Sequence, residues 1–212
     1  MLLKLALFTE LNHINLLPIA YTETRITSLR SYSLFDETIK ALHSIFDICP
    51  DVRWEDTDPP ADNILEARLR AKLYGGIVIT YRHCLRAVLN LPFKSSTTTI
   101  PTKVLAMARK CVVAMICSTE AFLHAMNNQG GGRLIVTNVW GTCHAQWGNI
   151  ILLHAVARNL LLRDCVDKEH LRVMTENVRR FLKDVARNGS ALETDILVLE
   201  EVAASCGMEL RA

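Results

Sequence analysis

The sequence predicts an all-α protein, a single irregular helical domain of about seven helices over residues 1–212. Apolar residues recur at three- and four-residue spacing along most of the 212-residue chain. Period-two alternation, the mark of a half-buried strand, is nearly absent. Capping residues and Gly/Pro breaks then cut the chain into pieces of helical length.

Residues 2–17 read as a first helix, stopped by Pro18. Ser33 can cap a second, with Phe35, Ile39, Leu42 and Phe46 inward and Asp36 where a capping box would hold Glu. Cys49–Asp62 is a loop, marked by Pro50, Pro59 and Pro60 and by the acids Asp51, Glu55, Asp56 and Asp58. Asp62 can cap the longest helix, roughly 63–89, whose stripe is Leu69, Leu73, Ile77, Tyr81, Leu85 and Val88. A polar loop follows Pro92. Thr102 can cap a helix carrying Leu105, Ala108, Cys111, Met115, Phe122 and Met126, and Asn127–Gly132 ends it.

Leu134–Val139 suits a strand by propensity, but with no second strand to pair with it reads as an extended lead-in. A helix from about Val139 to Leu162 comes next. Asp167 can cap another, with Leu171, Met174, Val178, Phe181 and Val185 inward and Arg172, Arg179, Arg180, Lys183 and Arg187 largely outward. Ser190-Ala-Leu-Glu193 has the form of a capping box opening a last helix that stops near Gly207.

Half the residues are apolar and 22% are charged, so the composition is globular. The 24 basic and 22 acidic side chains leave a net charge of +2, too balanced for a strong sequence-independent grip on phosphate backbones. Seven cysteines, an odd number with no Cys-x-x-Cys pair, read as reduced buried thiols of an intracellular protein. The apolar start Met1–Phe8 is interrupted by Lys4 and lacks a cleavage signal, so it reads as a helix and not a leader. No uncharged run approaches the ~18 residues of a membrane span, and no membrane partner is expected.

Helical spacing places Trp140, His144, Trp147, Ile151 and His154 on one face. One reading makes this an aromatic ligand wall with imidazole handles, joined by Tyr74 and Tyr81 of the long helix. The other makes it a core face whose histidines bond to backbone or solvent. Gly141, Ala145, Gly148, Leu152 and Ala155 form an adjoining stripe of small residues that would let another helix approach.

Gly75 and Gly76 stand mid-helix, where each costs on the order of 1 kcal/mol against alanine, so close packing or a bend is expected there. Arg68, Arg70, Lys72, Arg82 and Arg86 are scattered around the same helix with acids nearby, which reads as solvated surface. No metal site is expected, because adjacent Cys143 and His144 diverge on a helix. Gly-x-Ser-x-Gly, the phosphate-binding glycine loop and His-Glu-x-x-His are all absent, and the chain is read as non-enzymatic with no catalytic residue and no cofactor.

Several strings carry a family resemblance. Thr137-Asn138, Gly141-Thr142, His144-Ala145-Gln146 and Gly148-Asn149 form the most specific one. Ala67–Gly75, Cys111–Phe122 and Leu192–Leu197 accompany it, as do Phe35–Glu37, Arg53–Asp56 and Asp58–Ala61. Over roughly residues 33–202 the chain resembles the C-terminal regulatory region of fungal zinc-binuclear-cluster (Zn2Cys6) transcription factors. It departs at His83, where the family usually has proline, and at Gly76, where a small non-glycine residue is usual.

The resemblance implies a nuclear protein engaged in transcription regulation through protein partners or a small-molecule effector, with dimerisation in the full-length protein. DNA and zinc would be held only by an N-terminal six-cysteine cluster that this sequence does not contain. A truncated gene product, or a reading frame begun too late, is therefore expected. The alternative is a free-standing helical ligand-binding or protein-interaction module.

Overall fold

The computed structural model describes residues 37, 40, 58, 59, 61, 64–91, 100–128 and 138–210. Five α-helices lie among them: α1 (Ile64–Leu89), α2 (Thr102–Asn128), α3 (Val139–Ala157), α4 (Lys168–Val185) and α5 (Ala191–Ser205), with a 3-10 turn at Arg163–Cys165. The described residues contain no strand, and the all-α class holds. The expected first helix and the lead-in at 134–137 lie outside the described residues. Of the second expected helix, Glu37 and Lys40 are described, and both are helical and exposed.

The chain divides into two compact units, Asn15–Asn128 and Gln129–Ala212 together with Met1–Ile14. In the first, α1 and α2 pack as an antiparallel pair. Cys84 Sγ meets Met107 Sδ at 3.9 Å, Cys111 Sγ donates to Val78 O at 3.7 Å, and Ser118 Oγ donates to Ala71 O at 3.2 Å. The α2 number rises as the α1 number falls, which fixes the direction.

Leu73, Ile77, Tyr81, Leu85 and Val88 are buried as the stripe predicts, and Ala108, Cys111 and Met115 face them. Leu69 and Leu105 are only half-buried. The α2 helix begins at Thr102 itself, and Pro101 O accepts from the Val104 and Leu105 amides. Close packing does not explain Gly75: a Cβ there would meet nothing within 4 Å. The local constraint is instead the Thr80 hydroxyl, which donates to Gly76 O at 2.9 Å, a back-bond that tends to bend helices.

In the second unit α3, α4 and α5 each contact the other two. Ile150, Ile151, Leu153, Val156, Leu171, Val178, Leu182 and Leu199 are fully buried between them. The α3 helix stops at Ala157, five residues short of the expected Leu162. The Asn159 side chain takes the Leu161 amide at 2.9 Å, and Asn159 O accepts from Leu162 and Arg163. A local Asn turn thus outcompetes the helix. It also leaves Leu160 and Leu161 exposed while folding Leu162 inward.

Asp167 caps α4 as expected, accepting from His170 N at 2.7 Å. The Ser190–Glu193 box is realised differently. Ser190 Oγ accepts from Arg187 N, and Glu193 Oε2 reaches back to Gly189 N, one residue earlier than the motif requires. At the other end Gly207 takes φ +71°, with Met208 N bonded to Ala203 O and Gly207 N to Ala204 O, a Schellman stop.

Arg179, expected outward, is buried. It donates to Glu176 and to Glu200, each at 3.0 Å, and Glu200 also receives Lys183 at 3.2 Å. These hydrogen bonds hold the Glu200 carboxyl below its ordinary range although burial opposes them.

Candidate functional site

Asn138 starts α3. Its Oδ1 accepts from Gly141 N at 2.8 Å, and its carbonyl accepts the Thr142 hydroxyl at 2.9 Å. A Cβ at Gly141 would stand 2.7 Å from Asn138 Nδ2. Glycine is therefore needed here for the cap, and not for the approach of a neighbouring helix. The expected small-residue stripe breaks further at Ala145, which is exposed, although Gly148 and Leu152 are buried.

The aromatic face begins in this first turn. Trp140, His144 and Trp147 stack in order, with centroids 5.1 and 5.3 Å apart and interplanar angles of 8° and 24°. Their four- and three-residue spacing produces the ladder directly. It runs from solvent inward, since Trp140 is 57% exposed and Trp147 is 5% exposed. Trp147 Nε1 donates to Asp195 O on α5 at 2.9 Å, which settles the polar end of a buried indole. The Asp195 carboxylate lies 4.0 Å from His144 Nδ1. Burial pushes the Asp195 carboxyl up, and His144 opposes that shift.

His154 lies farther along α3, in the core. The Thr175 hydroxyl donates to Leu171 O at 2.7 Å, so it accepts from His154 Nε2–H at 3.1 Å. This fixes the tautomer and leaves Nδ1 buried with no hydrogen-bond partner among the described residues. Desolvation lowers the His154 pKa to about 4, so the ring is neutral at pH 7. Tyr74 and Tyr81 are buried in the α1–α2 unit, with the Lys110 ammonium 5.8 Å from the Tyr81 ring. Of the six residues expected to line a pocket, then, three form a stack, one is a core histidine, and two belong to the other unit.

An open groove of about 660 Å3 in the α3–α5 unit lies elsewhere, lined by residues that include Arg179, Glu200, Met208 and Leu210.

Of the five basic residues around α1, Arg70 is buried, bonding to Glu66 and to Pro59 O at 2.8 Å. Arg82 differs, because no carboxylate among the described residues offsets it and its Nε is buried without a hydrogen bond. Burial lowers its pKa.

None of the described cysteines forms a disulfide. Burial raises Cys84 and Cys143 to about 11 and Cys111 still further, so these three remain thiols at neutral pH. Among the described residues no group of three or more His, Cys, Asp or Glu side chains could hold a metal ion, and no helix is long and apolar enough to cross a membrane.

Sequence reasoning missed Asp195, Thr175 and Glu200 as partners. Asp195 alone left a signal, because it stands in the string Leu192–Leu197 that accompanies 137–149 in the resemblance. No family model, curated protein or solved structure matches this chain.

Proposed function

We propose that this chain is a regulatory helical region of a fungal transcription factor of the zinc-binuclear-cluster kind, acting in the nucleus through protein or small-molecule contacts and without catalysis. One observation carries the reading. The most specific resembling string, 137–149, and the accompanying segment 192–197 are far apart in sequence yet meet through Trp147 Nε1 and Asp195 O. The resembling segments 67–75 and 111–122 are likewise joined, through Ser118 Oγ and Ala71 O. The resemblance thus follows tertiary contacts, as it should if it reflects a shared scaffold.

In this reading any DNA and zinc contacts belong to another part of the full-length protein, and dimerisation belongs there too. The test is a tethering assay in fungal cells. The full chain, fused to an unrelated DNA-binding domain, should raise or lower a reporter carrying that domain's site, relative to the DNA-binding domain alone. An unchanged reporter with the fusion present in the nucleus refutes the proposal.

A second reading, a free-standing ligand-binding module, draws on the exposed Trp140 at the outer end of the stack. It predicts that tryptophan emission responds to a metabolite, and that Trp140→Phe abolishes the response.

A further inference from the structure

Between Glu66 and Glu120 the sequence holds no Asp or Glu, while Lys and Arg recur throughout. The structure folds this acid-free stretch back on itself, since it forms most of α1 and the first two-thirds of α2. At 100° per residue, Arg82, Arg86, Ile79 and His83 fall within an arc of about 100° on the second half of α1. Burial depresses the His83 pKa, and the Arg82 and Arg86 guanidiniums depress it further. The i,i+4 pair Arg82–Arg86 and the i,i+3 pair His83–Arg86 are neighbours on the helix surface.

Among the described residues no carboxylate pairs with Arg82, His83 or Arg86. The one titratable group of α2 that acts electrostatically on Arg82 is the Cys111 thiol, which burial keeps protonated. A half-buried guanidinium with no counter-charge is costly, and this one also keeps a buried Nε without a partner.

We propose that Arg82, His83 and Arg86 form a binding site for the phosphate-monoester group of a small molecule. Two guanidiniums balance a dianion, whereas a single carboxylate would leave one of them uncompensated, and their planar N–H forks match phosphate oxygens. Ile79, 60% exposed on the same arc, offers an apolar contact to the organic part of the ester. The site is one short helix face on a chain of net charge +2, a footprint for one phosphate and not for a polyanion. The proposal does not depend on the transcriptional reading above.

The experiment follows the His83 imidazole by NMR in the full-length chain, with phenyl phosphate as the ligand and benzoate as the carboxylate control. Phenyl phosphate at millimolar concentration should shift the signal saturably and raise the His83 pKa by about one unit or more. Benzoate should do neither. Arg82→Gln and Arg86→Gln should each weaken phenyl phosphate about tenfold or more, the loss expected for one charge-assisted hydrogen bond. Should Arg82→Gln fail to fold, Arg86→Gln decides alone.

Three outcomes overturn the proposal: no response to phenyl phosphate, an equal response to benzoate, or binding that survives the arginine substitutions. So does a duplex or single-stranded oligonucleotide that binds through Arg82 and Arg86 while phenyl phosphate does not.

Discussion

Protonation of His154 should unlock the α3–α5 unit at mildly acidic pH. The ring is fully buried, donates through Nε2 to Thr175 and presents Nδ1 to a site with no partner among the described residues. Charging it would place a cation in an apolar core where nothing compensates it. Its pKa falls from 6.5 to about 4 on folding, and at 1.36 kcal/mol per pH unit that difference is worth roughly 3 kcal/mol. The sign follows from proton counts. Between these two pKa values the unfolded chain binds the proton and the folded chain does not, so stability falls as pH falls from about 6.5 toward 4 and is complete above 6.5. At pH 5 the two-pKa expression gives a loss of about 2 kcal/mol, or a drop in Tm of about 4–8 °C for a chain of this length.

The assay is urea denaturation of the wild type and of His154→Leu at intervals from pH 7.5 to 4.5. Other titrating groups, Asp195 and Glu200 among them, contribute to both proteins and cancel in the difference. At pH 7.5 the variant should lose about 1 kcal/mol, chiefly the hydrogen bond to Thr175, because that hydroxyl keeps its bond to Leu171 O. Toward pH 5 the wild type should lose its advantage and become the less stable of the two. Parallel stability–pH curves would refute the reasoning, for they would mean that His154 binds its proton equally well in both states.

Three further predictions rest on separate features. Gly75→Ala should raise stability by about 0.5–1 kcal/mol, because its Cβ enters open space. Gly141→Ala should show no such gain, since its Cβ displaces the Asn138 cap, worth about 1 kcal/mol; thermal melts of both variants check the contrast. Arg179→Met should cost about 2–3 kcal/mol in urea denaturation by leaving Glu176 and Glu200 without their shared cation, whereas Arg172→Ala, which removes the partner of the exposed Glu169, should leave the midpoint nearly unchanged. Trp147→Phe should cost about 1–2 kcal/mol by leaving Asp195 O without its donor, while Trp140→Phe should change stability little and reduce the emission that acrylamide quenches.

What could be read from the chain was whatever depends on near neighbours. Asp167 is followed three residues later by the amide it caps, and the stripe Leu73–Val88 needs only helical period to be seen. The Trp140–His144–Trp147 ladder is of the same kind, being one helix's own i, i+3 and i, i+4 geometry. Even the local failures are local in cause. Asn159 ends α3 early with its own side chain, and Glu193 passes over Ser190 N for Gly189 N. Both are competitions between nearby backbone donors that residue type alone does not rank.

Charge burial was not legible, for a different reason. Arg179 sits among Arg172, Arg180 and Lys183 in a sequence that looks like one solvated basic face. What distinguishes it is Glu200, twenty-one residues on and on another helix. Arg82 presents the converse case, because the acids at the start of its helix do not reach it, and among the described residues none stands against it. A basic residue is placed by its counter-ion, and the counter-ion is a tertiary fact. The same argument separates the two ends of the aromatic face. Trp147 is held by a carbonyl that only the packing of α5 on α3 supplies, while Trp140, equal to it in residue type and helical register, finds no such group and stays in solvent. Wherever this face makes a functional contact, that contact must begin at Trp140, since the inner indole and His154 are already committed to the core.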